Sequence, residues 1–138
     1  MTTVSTDSTG RRYLSAGDAK GPFMTAIESD NTLYISGQGG FTADGSIPEG
    51  ICAQTEATLN NVRTIIESSG WAVSDLVQIT CYLADIEEWG QMNSEYEKFF
   101  SNQQYPPTRT AIGVAALPFG FRVEMTCVAS RNSVENQA

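Results

Sequence analysis

The chain has no histidine at all, and only eight lysines and arginines against sixteen aspartates and glutamates in 138 residues. Without imidazole there is no Ser-His-Asp triad, no HExxH zinc site and no histidine general base. The net charge of −8 comes with no cationic cluster larger than Arg11-Arg12. Phosphate backbones call for clustered cations, so nucleic acid is not an expected partner. Neither GxGxxG nor GxxxxGK[ST] occurs, which removes the usual warrant for a dinucleotide or P-loop site. No apolar run approaches the ~20 residues of a membrane span. The opening MTTVSTDSTGRRY is polar and lacks a signal peptide's apolar core, so a cytoplasmic protein with no membrane partner is expected. Cysteines are scarce and odd in number: Cys52, Cys81 and Cys127. The last two sit inside apolar alternations and read as reduced core thiols, not as a disulfide framework or metal site.

What is present describes one ordinary globular domain. Hydrophobic residues make up 41% and charged residues 17%, enough at this length to build a core. A single domain over residues 1–138 is expected, with its core at about 12–131 and frayed ends. Tyr13-Leu14, Met24–Glu28 and Thr32–Ser36 read as short strands, the last two joined in a hairpin at Asp30-Asn31. Gly37, Gly39, Gly40 and ADGSIPEG read as an irregular loop. Leu59, Val62, Ile65 and Ile66 recur at helical spacing within 53–69, and Gly70 supplies a stop. Val77, Ile79, Cys81 and Leu83 alternate as a half-buried strand. Trp89, Met92, Tyr96, Phe99 and Phe100 mark an amphipathic helix over 85–100.

The segment PPTRTAIGVAALPFGFRVEMTCVAS, from Pro106 to Ser130, carries the most chemical information. Phe121, Val123, Met125, Cys127 and Ala129 share one face of a strand, and Arg122, Glu124, Thr126, Val128 and Ser130 the other. Arg109 stands among small and apolar residues, where an unpaired guanidinium is costly. It therefore calls for an anion. Two partners stand level: the Glu124 carboxylate in a structural ion pair, or a ligand carboxylate gripped by the planar two-pronged fork. The face carrying Thr80, Tyr82, Thr126 and Val128 is too apolar to be wholly solvated and too polar for a core. A second copy of the chain covering it would resolve that tension.

LYISGQ at Leu33–Gln38, QTEATLNNVRTIIESSG at Gln54–Gly70, LADI at Leu83–Ile86, MNSEYEKFF at Met92–Phe100 and the Pro106–Ala129 block, in this order, resemble the RidA/YjgF family of reactive-intermediate deaminases. The resemblance implies an α+β subunit of the chorismate-mutase type. In it, a six-stranded mixed sheet carries two helices on one face, and three identical chains enclose a ligand cleft at each interface. The implied chemistry is cofactor-free and metal-free hydrolysis of enamines and imines, such as 2-aminoacrylate, to a 2-keto acid and ammonia. By the same resemblance Arg109 anchors the substrate carboxylate and Glu124 activates water, a role suited to a desolvated glutamate. Ser36 and Asn93 line the cleft, Ser36 donating to the substrate and Asn93 tying backbone together. Two positions depart from the common family pattern: Phe23 replaces a tyrosine after Gly21-Pro22, and Ala111 replaces a cysteine two residues past the arginine. Both make the pocket less polar, which points to a larger or more apolar imino acid, including a pathway-specific one such as an aminomuconate. A trimer that binds a keto acid without turning it over would carry the same residues. Some family members carry a ribonuclease role, against which the acidic composition argues here.

Overall fold

In the computed structural model, residues 2–16 and 21–132 are described. They form a seven-stranded mixed sheet with two α-helices. In chain order the strands are β1 (Thr2–Thr6), β2 (Arg12–Ala16), β3 (Ala26–Ser29), β4 (Thr32–Gln38), β5 (Leu76–Leu83), β6 (Thr108–Gly113) and β7 (Val123–Ser130). Across the sheet the order is β1-β2-β3-β4-β7-β5-β6, with every pair antiparallel except β5 and β6. Helix α1 (Ile51–Ser68) connects β4 to β5, and α2 (Trp89–Phe99) makes the crossover that parallel β5 and β6 require.

The seventh strand corrects the expectation of six strands with a frayed start. Thr2–Thr6 pairs with Arg12–Ala16, from Thr2 opposite Ala16 to Thr6 opposite Arg12. Asp7 closes the turn between them. Its carboxylate accepts from the Thr9 and Arg11 backbone N–H groups at 2.8 and 3.1 Å and from the Tyr13 hydroxyl at 2.8 Å. The opening segment is polar because it is a solvated edge hairpin, held by an Asp-centred turn. The expected fraying of the C-terminal tail concerns residues 133–138, which lie outside the described residues.

The hairpin at Asp30-Asn31 forms as expected, with Ser29 opposite Thr32 and Asp30 in the left-handed region at φ 53°. α1 begins two residues before its first expected position, behind Gly50 at φ 92°. The expected helix over 85–100 divides into a 3₁₀ turn at Ile86–Glu88 and α2. Asp85 caps the turn, accepting from the Glu87 N–H at 3.0 Å.

Leu59, Val62 and Ile66 of α1 and Met92 and Tyr96 of α2 pack against Leu33, Ile35, Ile79, Cys81, Leu83, Val123, Met125 and Cys127 of the sheet. Leu59 is 1% exposed, so Leu59→Ala would cost about 2–5 kcal/mol. Cys81 and Cys127 are buried thiols, as expected, and burial pushes them up to about 11 and about 12, which leaves them unreactive. Among the described residues no helix is long and apolar enough to cross a membrane.

Both helices lie on this one face. The other face shows three cross-strand rows: Tyr34, Val128 and Gln78; then Thr126, Thr80 and Thr110; then Glu124, Tyr82 and Ile112. Tyr34 is 53% and Ile112 42% exposed. That half-apolar face is open to its surroundings.

Candidate functional site

Arg109 lies on β6, directly opposite Ile79 of β5, and Ala111 lies opposite Cys81. Paired strand residues point to the same face, and Ile79 and Cys81 are fully buried under the helices. Arg109 and Ala111 therefore point to the helix side of the sheet. There Trp89, Asn93 and Tyr96, spaced to share one stripe of α2, surround the guanidinium. Arg109 Nη1 donates to Asn93 Oδ1 at 2.8 Å, and the guanidinium carbon stands 4.6 Å from the Tyr96 ring centre and 5.4 Å from that of Trp89. Asn93 Nδ2 in turn donates to Glu97 Oε1 at 3.1 Å. Asn93 thus orients a side chain instead of tying backbone together, contrary to expectation.

A guanidinium has five N–H donors, and the bond to Asn93 is its one hydrogen bond among the described residues. The aromatic faces satisfy the charge without occupying the fork. The expected alternative of an ion pair with Glu124 does not form. The ion pairs among the described residues are Arg12–Glu28, Glu95–Lys98 and Glu88–Arg122. Arg122 grips Glu88 through two contacts of 2.7 Å, so it is not the partner of Glu124 either.

Glu124 lies opposite Tyr82 on β5, one residue out of phase with Val123 and Met125, and so points away from the helices. Burial raises its carboxyl above the ordinary glutamate range. A Cβ on Gly37 would collide with the carboxylate, so glycine there is what lets Glu124 lie against β4. This part of β4 carries a register shift between Ile35 and Gln38, the local kink that a bulge imposes.

Glu124, Gly37, Ser36 and Phe23 line one cavity of about 770 Å³, which continues past Gln38 and Gly39 to Asn61 and Thr64 of α1. Ser36 Oγ donates to the Met24 carbonyl at 2.6 Å. Its hydrogen is committed to holding β4 against the Phe23-Met24 segment, leaving its lone pairs to face a ligand. Phe23 is 52% exposed at the cavity wall.

The structure thus brings the expected residues together in two groups, not one. Phe23, Ser36 and Glu124 share the cavity, whereas Arg109, Asn93 and Ala111 stand on the opposite face of the same sheet. Among the described residues no group of three or more cysteine, aspartate or glutamate side chains converges as metal ligands would.

Sequence reasoning did not single out the aromatic rim of the cavity. Phe41, Phe119 and Phe121 meet edge to face, with ring centres 5.0–5.6 Å apart. Phe121 is the buried member, and a Cβ on Gly39 would overlap its ring. Phe119 follows Pro118 in a tight turn closed by the Phe121 N–H donating to the Pro118 carbonyl at 3.1 Å. Its φ and ψ are 60° and 13°, and Gly120 follows at φ 70°. That is the backbone of a turn with both central residues left-handed, where asparagine or glycine is the default. A bulky residue there costs about 1–3 kcal/mol. The signal in the sequence is Pro-Phe-Gly-Phe, a turn tetrapeptide with the wrong residue at its second position.

Comparison with known proteins follows the same boundaries. A family model described as Endoribonuclease L-PSP matches residues 14–131, leaving β1 outside. A "RutC family protein" of Haemophilus influenzae is 35% identical over 116 residues, 82% of this chain and 89% of the relative. The "2-iminobutanoate/2-iminopropanoate deaminase" of Bos taurus is 38% identical over 124 residues, 86% of this chain and 89% of the relative. Among solved structures, E. coli TdcF with bound serine superimposes with a TM-score of 0.79 at 29% identity, covering 83% of this chain and 91% of that one. Segment order, sheet and matched residues agree, and the chain belongs to the RidA/YjgF/RutC family, the family of the Endoribonuclease L-PSP model.

Proposed function

We propose that this chain is a cofactor-independent deaminase that hydrolyses 2-imino acids, and the enamines that tautomerise to them, to 2-keto acids and ammonia. The site is assembled between copies of the chain in a homotrimer. The observation that carries this reading is the pairing of an anion-ready arginine and a desolvated glutamate that one chain holds apart on opposite sheet faces. The names of relatives at about 35–38% identity, 2-iminobutanoate/2-iminopropanoate deaminases, support the reaction class. The open face bearing Tyr34, Thr126, Tyr82 and Ile112 offers the surface against which a neighbour brings its Arg109.

In that composite site the donors of Arg109 not used by Asn93 take the substrate carboxylate in a two-pronged contact. The imine carbon then faces Glu124 of the adjoining copy. As a carboxylate, Glu124 takes a proton from water while the water oxygen bonds to that carbon and the imine nitrogen, protonated, takes the π pair. The product of this step is a carbinolamine. Glu124 returns its proton to the amine, and as the C–N bond breaks and ammonia leaves, the regenerated carboxylate takes the hydroxyl proton of the carbinolamine so that the carbonyl forms. One group serves as base and then acid, and a carboxyl raised towards neutrality suits both tasks. Ser36, with its hydrogen committed, accepts from the substrate's N–H.

The test is ammonia release from imines generated in situ by an amino-acid oxidase, compared with the spontaneous rate. Acceleration is expected, abolished by Arg109→Ala and severely impaired by Arg109→Lys, because a point charge does not reproduce the fork. If the folded protein accelerates no imine in the series, the chain is a binder of keto acids and the enzymatic reading falls. Near-wild-type turnover in either folded variant removes the carboxylate anchor.

A further inference from the structure

The least economical feature of the chain is Phe119. It occupies the left-handed first central position of a turn that glycine or asparagine would close without strain. Its ring is 57% exposed, so burial in the core does not explain it. The ring leans edge to face on Phe41 and Phe121 and forms the rim of the same cavity that holds Glu124, Ser36 and Phe23. Phe23 is a second half-exposed phenyl on that wall. Strain kept at a solvent-facing ring beside a polar catalytic candidate is the pattern of a ligand-contacting residue.

We infer that Phe119, with Phe23, forms an apolar wall that makes the site selective for 2-imino and 2-keto acids carrying an aromatic or branched apolar side chain. This deepens the deaminase reading and rests on it for the reaction, but not for the preference. The carboxylate and the reacting carbon of any such acid are common to all substrates of the class. Discrimination therefore has to come from the side chain, and the cavity supplies phenyl rings where that side chain ends. Its volume of about 770 Å³ leaves room for a phenyl group beside the reacting carbon. The turn fixes the ring's position, because the left-handed backbone and the contacts to Phe41 and Phe121 leave it few alternatives.

The experiment titrates purified protein with phenylpyruvate, 4-methyl-2-oxopentanoate and pyruvate by calorimetry. It uses wild type and Phe119→Gly, and records melting temperature and oligomeric state for both. Glycine suits the turn, so this variant removes the ring while relaxing the backbone. Wild type is expected to bind phenylpyruvate at least about tenfold tighter than pyruvate, about 1.4 kcal/mol. In Phe119→Gly the two affinities should converge to within about twofold. The same ranking should appear in ammonia release from imines of phenylalanine, leucine and alanine. Equal binding of the two keto acids by wild type, or no binding of either, overturns the inference. So does a Phe119→Gly protein that keeps the preference and instead melts lower or changes its assembly, which assigns the ring to packing or to an interface. If no imine is hydrolysed yet the keto-acid preference and its loss are both seen, the deaminase reading falls while the apolar wall stands.

Discussion

The opposite-face placement of Arg109 and Glu124 can be tested by mixing two inactive proteins. Arg109→Ala keeps its glutamate and Glu124→Gln keeps its arginine. If each site takes Arg109 from one copy and Glu124 from its neighbour, a mixed assembly regains sites in which both native residues meet. In a random one-to-one mixture each site finds an intact arginine half the time and an intact glutamate half the time. About one quarter of wild-type activity should return, whatever the size of the ring. Each parent alone should fall by about 10²–10⁴-fold, the usual worth of acid–base assistance for the glutamate, so the recovered quarter stands far above background. Wild type mixed with a chain carrying both substitutions provides the control: about one quarter if the site is shared, about one half if it lies within one chain. The two parents, differently tagged and co-expressed in equal amounts, are assayed for ammonia release as the unselected mixture; purification through both tags removes the single-parent rings and raises the expected fraction to about one third for a trimer. Doubly tagged assemblies no more active than the parents would refute the shared site.

Two further outcomes follow from the surroundings of Glu124. Burial raises its folded-state carboxyl above the ordinary range, so the proton it holds favours the folded state. That contribution is complete below the unfolded value and is lost as pH rises through the folded one. Glu124→Gln should therefore melt like wild type at pH 3 and higher than wild type at pH 8; a melting temperature at pH 8 equal to or below wild type would contradict the desolvation argument. Gly37→Ala should leave the fold intact but displace the Glu124 carboxylate that its Cβ meets. Circular dichroism should be unchanged and turnover sharply reduced, and full turnover would show that the placement of Glu124 against β4 is not needed.

The core strands and helices are legible in the sequence because their patterns have one meaning. Val123, Met125, Cys127 and Ala129 alternate with half-exposed neighbours, and Leu59, Val62 and Ile66 keep helical spacing. The face that Glu124 takes is legible too, since phase along a strand decides it: one step from Val123 and Met125 puts it on the side away from the core. The phase of Arg109 is not, because Thr108 to Gly113 alternates small residues without a clear apolar side. Its face is set only by pairing with Ile79, thirty residues away in sequence. That long-range parallel register separates Arg109 from Glu124 and disposes of the ion pair. β1 escapes a reading by pattern for a related reason: Thr2–Thr6 has strand-forming residues but no apolar face, and only Asp7's turn contacts and the Arg12–Ala16 partner make it a strand. The Phe41–Phe119–Phe121 rim joins two loops far apart in the chain, and only the odd Phe119-Gly120 pair announces it.

The separation itself has a chemical consequence. Were Arg109 and Glu124 neighbours in one chain, each would take the other as its counter-ion. The guanidinium would lower the glutamate's pKa, and the carboxylate would fill the fork proposed to take the substrate. Neither group would then be ready for an imino acid. With the β-sheet between them, Glu124 meets no cation among the described residues and stays raised by burial, while Arg109 rests on Tyr96, Trp89 and a neutral amide that leaves most of its donors uncommitted. In the composite site proposed above, a ligand's carboxylate would pair with the neighbour's arginine and leave the glutamate to work on water. A neutral imine lacking the carboxylate would leave the guanidinium without its anion and would be a poor substrate on the same grounds. On that proposal the selectivity for acids and the readiness of the base have one origin, the sheet that keeps the two groups of a single chain from pairing with each other.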